Sequence, residues 1–297
     1  MNCDIHIVLV ADNRYCNFAG AVIASVFKTA HREDIIHVHI VHDEITTQNK
    51  RKIETLLSLR QSSTIDFILA DTHKIPEITL PRHISQATLY RLQLPKLLPQ
   101  LDRVLYLDCD VIVIDSLSLL WNIPLDGNLI GAVCDCNRKL EEHKHNLGIA
   151  GEYINAGVLL MDLHAMRNHN ICEEFQKQLE CSTDRITMAD QDIINIILQG
   201  KIRILDLRYN LSGGFFKGDY GKNYYSEKDI ATAVENPCIL HFTSARKPWT
   251  LKTPRHPFWE LYFDAVKNTV YSAECLRFIK KYILPKARVK WPVLSCF

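Results

Sequence analysis

The chain has 297 residues, of which 47% are hydrophobic and 23% are charged, a composition typical of globular proteins. This length is enough for one large domain or two small ones. The formal net charge is only +1, so the chain lacks the strong positive field expected of a nucleic-acid-binding protein.

The cysteines and the first residues predict an intracellular protein. Ten cysteines are scattered through apolar segments without any Cys-x-x-Cys pair, so we expect buried, reduced thiols. The start of the chain has no basic stretch and carries an acid at Asp4, unlike a signal peptide. No run of about 18 apolar residues occurs, so we expect no membrane-spanning helix.

The first segments predict the start of an α/β domain. The apolar run 5–10 indicates a buried strand, residues 11–15 a polar turn, and the apolar spacing within 18–28 a helix. Nucleotide-binding α/β domains begin in this way, with the ligand beyond the carboxyl end of the strand. No Gly-x-Gly-x-x-Gly motif follows, so the fingerprint of a dinucleotide site is absent.

Three histidines lie in the next strand. The elements predicted here are a strand at 35–42, a helix at 46–59 and a strand at 64–69. Alternation along a strand places His37 and His39 on one face and His42 on the other. We therefore interpret the three histidines as ordinary strand positions rather than as a metal site.

Arg91 lies in a helix that we predict to begin at Ser85, its N-cap, while Pro95 starts a second short helix. Two interpretations of Arg91 are open. The residue either lays its stem along core side chains with its charge in water, or it faces carboxylates within reach of an anionic or hydroxylated ligand.

Asp108 and Asp110 stand between two apolar runs, 103–107 and 111–114, that predict strands. Two carboxylates this close at a strand end need a countercharge if they are not in water. A hard divalent cation is the simplest countercharge, and such ions also bind substrate phosphates. The alternative is a solvated acidic pair at the end of a strand.

The second half continues the alternation of strands and helices. We predict strands at 129–134, 154–162, 202–207 and 237–242, helices at 163–179 and 189–198, and a Gly- and aromatic-rich mobile loop at 210–225. Gly157 follows Asn155 at the start of one strand, where glycine permits close approach of a ligand. Asp190 and Asp192 open a helix, and either bind a ligand or simply favour the helix dipole.

His241 ends the last predicted strand and is followed by Lys247. Alone, it is a candidate core histidine. Because the carboxyl ends of parallel strands meet at one crevice, we expect His241 near Asp12, Asn155 and the two aspartates of the Asp-x-Asp motif. One imidazole and two carboxylates form a ligand set that suits manganese.

Six motifs occur in one order over about residues 4–265. They are Val10-Ala-Asp12, Tyr90-Arg91, Tyr106-Leu-Asp108-Cys-Asp110, Asn155-Ala-Gly-Val-Leu-Leu-Met161, Asp190-Gln191-Asp192, and His241-Phe leading to Lys247-Pro-Trp249. In these motifs the chain resembles the bacterial retaining glycosyltransferases of family 8. It is similar to the lipopolysaccharide and lipooligosaccharide galactosyl- and glucosyltransferases, and more distantly to glycogenin.

The resemblance implies a GT-A nucleotide-sugar-binding fold with a mainly parallel central sheet over residues 1–268. It implies a UDP-hexose donor, with galactose and glucose both open, and manganese, with magnesium as the alternative ion. The acceptor implied is a glycan or glycolipid, the growing lipopolysaccharide or lipooligosaccharide. Asp108, Asp110 and His241 would bind the metal, Ala11, Asp12 and Tyr15 the nucleoside, Ser244 and Lys247 the diphosphate, and Arg91, Asn155, Asp190 and Gln191 the donor sugar.

Two positions depart from the family pattern. Arg14 stands where relatives often have a smaller polar residue, and Ser244 where several have glycine, which affects fine donor contacts. The expected catalytic residues are Gln191, Asp190 and Asp108. Retention requires either a nucleophile on the face opposite UDP or front-face attack with UDP accepting the proton, and we favour front-face attack with Gln191 stabilising the cationic sugar.

Two other functions share part of this pattern. Phosphatases of the haloacid dehalogenase class also have a strand ending in Asp-x-Asp, but near the amino terminus and with Thr or Val where Ile112 stands here. A non-catalytic UDP-sugar-binding protein could keep the fold, but we would expect it to have lost one of the three metal ligands.

The carboxyl-terminal residues 269–297 predict a membrane-associating tail. From Leu276 onward there are six Lys/Arg and no Asp/Glu, whereas residues 1–275 carry 29 basic and 34 acidic residues. Leu276, Ile279, Tyr282 and Ile283 share one helical face. We expect this segment to hold a cytoplasmic protein on the inner face of the membrane. The alternative is a final helix packed on the domain with a solvated basic face.

Overall fold

The computed structural model describes residues 3–74, 86–136, 139–181, 186–216, 224–243, 246–249 and 256–273. Strands and helices alternate along the first part of the chain, as predicted. The strands are β1 (Asp4–Val10), β2 (Ile35–His42), β3 (Thr64–Leu69), β4 (Arg103–Leu107), β5 (Val111–Val113), β6 (Ile130–Ala132), β7 (Val158–Asp162), β8 (Ile202–Ile204), β9 (Leu211–Ser212) and β10 (Ile239–His241).

Short helices connect these strands. The α-helices are α1 (Cys16–Thr29), α2 (Thr47–Glu54), α3 (Leu94–Leu97), α4 (Ser118–Trp121), α5 (Leu140–Leu147), α6 (Leu163–Asn168), α7 (Ile171–Cys181), α8 (Asp190–Ile197), α9 (Glu227–Glu235) and α10 (Leu261–Val266). Four 3₁₀ helices cover Thr55–Leu59, Thr72–Lys74, Gln86–Gln93 and Leu207–Asn210.

A seven-stranded sheet in the order β3-β2-β1-β4-β7-β6-β8 forms the centre of the fold. The first four strands in this order pair in parallel, and β6 pairs in parallel with β8, whereas β7 runs antiparallel to both neighbours. The α/β class and the mainly parallel sheet are therefore confirmed. Strands covered on both faces need apolar side chains in both directions, which explains the continuous apolar run of β1.

The two faces of this sheet have separate cores. Ile5, Ile7 and Leu9 of β1 pack in a large cluster that includes α1 and the second sheet. Val8 and Val10 point the other way, into a cluster with the 3₁₀ helix Gln86–Gln93 and α8. The carboxyl ends of β1 and β4 thus lie at one edge between the two cores.

A second, three-stranded sheet in the order β5-β10-β9 closes over that edge. β10 runs antiparallel to β5, which places His241 opposite Val111, and it runs parallel to β9. β9 lies inside the segment that the sequence assigns to a loop at 210–225, so that prediction is wrong at Leu211–Ser212. The pairing of β10 with β5 places His241 next to the Asp-x-Asp motif, from which it is distant in the sequence.

Several predicted boundaries differ from those of the structure. The helix predicted at 163–179 is two helices, α6 and α7, separated at Asn170, which has φ +51°. The strand predicted at 154–162 begins only at Val158, because Ile154 forms an isolated bridge with Cys134 and the chain then turns. The helix predicted from Ser85 is a 3₁₀ helix from Gln86 to Gln93, and Ser85 lies outside the described residues.

The last described residues pack against the first helix. Tyr271 is buried, and a Cβ on Gly20 of α1 would lie 2.6 Å from its hydroxyl oxygen. The Lys52 ammonium lies 4.5 Å from the centre of the same ring. Tyr271 falls in the segment 269–297 assigned to the tail, whose residues 274–297 lie outside the described part, and the division at residue 268 stays a prediction. Within the described residues, no helix has the length and apolarity to span a bilayer.

Candidate functional site

Asp108, Asp110 and His241 converge at the edge between the two sheets. One ligand atom from each lies within 4.8 Å of the others. His241 Nε2 is 3.1 Å from Asp110 Oδ1 and 3.8 Å from Asp108 Oδ2. The histidine side chain is only 4% exposed, whereas the two carboxylates are 24% and 15% exposed. The structure therefore brings together the three residues that the sequence assigns to a metal.

A chain of amide side chains fixes the orientation of this histidine. Asn155 Nδ2 donates to Asp135 Oδ2 at 3.2 Å, and Asn155 Oδ1 accepts from Asn210 Nδ2 at 2.9 Å. Asn210 Oδ1 then lies 2.9 Å from His241 Nδ1, which must donate to it. Because a carboxylate can only accept, Asp135 determines the direction of every bond in this series. In the neutral imidazole the proton is therefore on Nδ1, and the Nε2 lone pair is available to a metal ion bound between His241 and the two aspartates.

Gly157 leaves room for the side chains of Asp108 and His241. A Cβ at this position would overlap the His241 ring and lie 2.9 Å from Asp108 Oδ2. The Gly157 N–H donates to Asn155 Oδ1 at 3.0 Å, and its carbonyl accepts from the Asp108 N–H at 2.8 Å. The sequence predicts that Gly157 allows a ligand to approach, and the structure shows that it also allows the Asp108 and His241 side chains to approach each other.

Arg91 binds only one of the two carboxylate oxygens of Asp108. Its Nη2 donates to Asp108 Oδ1 at 2.7 Å, and the Tyr106 hydroxyl donates to the same oxygen at 2.7 Å. The Arg91 Nε is 3.0 Å from Asp190 Oδ2. Arg91 is buried, so the interpretation that its charge lies in water is wrong. It bridges two carboxylates and leaves Asp108 Oδ2 on the side of His241.

Lys247 is the cation next to Asp110. Its ammonium contacts Asp110 Oδ2 and donates to the Phe242 carbonyl at 2.7 Å. Burial alone would raise the pKa of Asp110, but the adjacent Lys247 ammonium outweighs burial and holds that pKa below its ordinary value. Asp110 is therefore ionised and ready to bind a cation.

Hydrogen bonds to the Ala156 backbone and to Asp135 hold the Gln191 amide in one orientation. Its Oε1 accepts from the Ala156 N–H at 3.1 Å, so its Nε2 is the group that donates to Asp135 Oδ2, at 3.0 Å. Asp190, one residue earlier, accepts from the Thr88 hydroxyl at 2.7 Å and pairs with Arg91. Burial raises the pKa of Asp190, and Arg91 opposes that effect.

A strained turn precedes these residues. Ala189 has φ +50° and ψ −124°, a conformation that side chains other than glycine rarely adopt. Asp192, fully buried, accepts from the N–H groups of Thr187 and Met188, both at 2.8 Å, and from the Tyr153 hydroxyl at 2.5 Å. Asp192 thus holds the turn from inside the protein and does not face the cleft.

The end of β1 lies beside the Asp-x-Asp motif. The Cys109 thiol donates to the Val10 carbonyl at 3.2 Å, and the Ala11 N–H donates to the Val41 carbonyl at 3.0 Å. Asp12 Oδ1 accepts from the Tyr15 N–H at 2.9 Å, while the Arg14 guanidinium pairs with Asp12 Oδ2 at 3.1 Å. Ser244 lies outside the described residues.

Sequence reasoning missed Asp135 and Asn210. No motif in the sequence points to Asp135, and Asn210 lies at the start of the predicted loop at 210–225. Both residues follow or end short elements that carry no strong periodic pattern. The only sequence signal is that each follows an apolar segment, which is too common to identify a site.

The residues present fit a divalent metal ion. Asp108, Asp110 and Asp190 supply three negative charges against the two positive charges of Arg91 and Lys247, so a cation would reduce the excess. His241 donates from Nδ1 to Asn210, and metal-binding histidines commonly have their other nitrogen held by such a hydrogen bond. Two carboxylates and one imidazole are suited to manganese better than to magnesium, which prefers oxygen.

The comparisons with known proteins agree with this geometry. A sequence profile described as Glycosyl transferase family 8 matches residues 6–253. General stress protein A of Bacillus subtilis (strain 168) is 27% identical, over 90% of this chain and 95% of that protein. Lipopolysaccharide 1,2-glucosyltransferase of Escherichia coli (strain K12) is 27% identical, over 95% of this chain and 78% of that enzyme.

A solved structure has the same architecture. The crystal structure of the galactosyltransferase LgtC in complex with donor and acceptor sugar analogues matches with a TM-score of 0.78 at 27% identity, covering 90% of this chain and 96% of that one. The likeness confirms the predicted fold, a mixed α/β domain of the GT-A type.

We expect Gly157→Ala to weaken Mn²⁺ binding about tenfold or more, because the added methyl group displaces His241 and Asp108. Electron paramagnetic resonance of unbound Mn²⁺ gives the dissociation constant. Gly151→Ala is the matched control, since a Cβ there meets no atom within 4 Å. Equal Mn²⁺ affinity of the Gly157→Ala variant and the parent would contradict the assignment.

Proposed function

Because the chain belongs to glycosyl transferase family 8, we propose that it transfers galactose or glucose from a UDP-sugar to a glycan acceptor, with retention of the anomeric configuration. The observation that carries the proposal is the convergence of Asp108, Asp110 and His241 in a chain that matches this family over residues 6–253. The likeness to a lipopolysaccharide glucosyltransferase and to LgtC with its sugar analogues supports a hexose and a glycan acceptor.

The donor would lie across the ends of β1 and β4. We assign the nucleoside to Ala11, Asp12 and Tyr15. The diphosphate would lie next to Lys247 and Ser244, with the metal held by the convergent triad. Mn²⁺, or Mg²⁺ in its place, would neutralise negative charge on the departing diphosphate. Lys247, which contacts Asp110 here, adds a second positive charge at the same place.

The donor sugar would lie against Arg91, Asn155, Asp190 and Gln191, with Asp135 added. Arg91 and Gln191 are each fixed by several hydrogen bonds, so they can orient hydroxyl groups without first being ordered. Galactose and glucose differ in the orientation of one hydroxyl group, and we propose this set of residues for either hexose.

We favour front-face attack over double displacement. Asp190 is bound by Arg91 and Thr88, and Asp192 accepts from His143 and Tyr153 and from two backbone N–H groups. Neither carboxylate is therefore a competent nucleophile as placed. In front-face attack, the acceptor hydroxyl oxygen bonds to the anomeric carbon as the bond from that carbon to the diphosphate oxygen breaks. The hydroxyl proton passes to the departing diphosphate. Gln191 and Asp190 would stabilise the positive charge that develops on the sugar.

The rival functions have less support. The family match leaves no support for a haloacid dehalogenase phosphatase. A non-catalytic UDP-sugar-binding protein would be expected to lack one metal ligand, and here all three are present within 4.8 Å. We further propose that the basic tail holds the protein on the anionic inner face of the cytoplasmic membrane, near a lipid-linked acceptor.

The first test is hydrolysis of UDP-galactose and UDP-glucose by the purified chain with Mn²⁺. Asp108→Asn and Asp110→Asn should each lower the rate at least about 100-fold, because each removes a charged ligand. Asp102→Asn is the control, as Asp102 is an exposed carboxylate at the opposite end of β4. Full activity of the first two variants would exclude the metal assignment, and no hydrolysis by the parent with any UDP-sugar would favour the binding protein.

Gln191→Ala should lower kcat by about 100-fold while changing the donor KM little, if the amide acts on the developing charge. Steady-state kinetics with the preferred donor measure both constants. Gln199→Ala serves as the control, since Gln199 lies beyond α8 and outside the site. An unchanged kcat would remove Gln191 from the reaction.

The product should keep the α configuration of the donor sugar. The ¹H NMR coupling constant of the new anomeric proton distinguishes the two outcomes. A β linkage would contradict both the retaining mechanism and the front-face route.

The tail should bind anionic vesicles. Co-sedimentation with phosphatidylglycerol vesicles at low salt should retain the full chain and release a chain ending at Ala273, with donor hydrolysis preserved in both. Phosphatidylcholine vesicles are the control for charge. Equal binding of the two chains to anionic vesicles would refute a role of the tail.

A further inference from the structure

Asp192 of α8 is a fully buried carboxylate that takes no part in the proposed reaction. Its Oδ2 accepts from the N–H groups of Thr187 and Met188, both at 2.8 Å, and its Oδ1 accepts from the Tyr153 hydroxyl at 2.5 Å. His143 Nε2 lies 2.6 Å from the same Oδ1. A carboxylate accepts and does not donate, so His143 carries a proton on Nε2 and is the fourth donor to Asp192.

The Tyr153 hydroxyl connects Asp192 to Gln191, the amide assigned to the donor sugar. A phenol has one proton, which Tyr153 donates to Asp192, so its oxygen is left to accept from Gln191 Nε2 at 3.3 Å. The Met188 sulfur, a weaker acceptor, lies 3.4 Å from the same nitrogen. Burial, and then Asp192, raise the pKa of Tyr153, so the hydroxyl keeps the proton that it donates.

Tyr153 completes the hydrogen bonds of the Gln191 amide. Gln191 Oε1 accepts from the Ala156 N–H at 3.1 Å and from Asn155 Nδ2 at 3.2 Å. Gln191 Nε2 donates one proton to Asp135 Oδ2 at 3.0 Å and the other to Tyr153. These bonds fix the direction of the amide dipole, which is the property that acts on a developing positive charge.

The backbone around Tyr153 ties the same residues together. The Tyr153 carbonyl accepts from the Asp135 N–H at 2.9 Å. In α8, Asn195 Oδ1 accepts from the Ile154 N–H at 2.7 Å, and Asn195 Nδ2 donates to the Ile154 carbonyl at 2.9 Å. A displacement of Tyr153 would therefore reach Gln191 by two routes, through its own hydroxyl and through Asp135.

We infer that His143 is a positioning residue, which orients Gln191 through Asp192 and Tyr153. His143 is the outer end of this series, with its side chain 14% exposed, whereas the Asp192 side chain is fully buried. Its ring also meets the edge of the Tyr153 ring, with the two centres 5.5 Å apart. His143 lies in α5, outside the six sequence motifs. Its effect on the reaction rests on the proposed function, because only there is Gln191 assigned to the sugar.

The first experiment follows the side-chain amide of Gln191 by ¹H–¹⁵N NMR, with its signals identified by their loss in Gln191→Ala. His143→Leu removes a donor to Asp192 rather than a partner of Gln191, and we expect both Gln191 amide protons to shift. His143→Gln keeps an N–H donor at about the same reach and should restore the parent positions. Unchanged Gln191 signals in His143→Leu, or equal shifts in the two His143 variants, would overturn the inference.

Tyr153→Phe removes the acceptor itself and should shift the same two signals further. The matched control is Tyr225→Phe, which also removes one buried hydroxyl with one donated and one accepted hydrogen bond. The partners of Tyr225 are the Leu205 carbonyl and the Cys134 N–H, both at 3.1 Å. The Gln191 signals should stay in place in that control, and shifts there as large as in Tyr153→Phe would mean that Tyr153 has no special connection to Gln191.

The second experiment measures the consequence for donor hydrolysis. His143→Leu and Tyr153→Phe should each lower kcat about tenfold with little change in the donor KM, while His143→Gln should keep kcat within about twofold. Equal losses of kcat in the two His143 variants would overturn the role of the donated bond. If the parent hydrolyses no UDP-sugar, the proposed function fails, whereas the NMR signals of Gln191 still decide whether His143 positions it.

Discussion

The charge balance around Asp108 is the constraint on which the site depends. Asp108, Asp110 and Asp190 lie at the carboxyl edge of the sheet, two of them next to a single buried guanidinium. Arg91 can neutralise only part of this charge, and Lys247 is occupied with Asp110. The folded chain thus keeps a negative centre in a partly dry cleft, which is stable only because each carboxylate has a fixed donor. That same negative centre is what attracts a divalent ion.

A directed series of hydrogen bonds connects the residues of this charged site. Asp135 can only accept, so Asn155 donates to Asp135, Asn210 donates to Asn155, and His241 donates from Nδ1 to Asn210. Gln191 donates to the same Asp135 oxygen. One carboxylate therefore orients both the group assigned to the metal and the group assigned to the sugar. Such a series is rigid because reversing any amide would break two bonds at once.

Strand register gathers three histidines on one face of the same sheet. The ends of parallel strands collect carboxylates from loops, whereas the middle of paired strands places side chains of neighbouring strands in register. His6 and His37 meet because β1 and β2 pair without a shift, and a shift of one residue would send one of them to the opposite face. Imidazoles therefore gather in the middle of the strands and carboxylates at their ends.

The sequence by itself determined the class of fold, the positions of the long apolar strands and the six motifs that identify the family. These features are local or nearly so: β1, β2 and β3 are apolar runs, and Asp108 and Asp110 directly follow one of them. Tertiary structure decided which distant residues meet. His241 reaches Asp110 through the pairing of β10 with β5, Asp135 and Asn210 join the site through short elements without a periodic pattern, and His6 meets His39 through strand register. Periodicity reports which face a residue occupies, but only the pairing of strands determines what lies across from it.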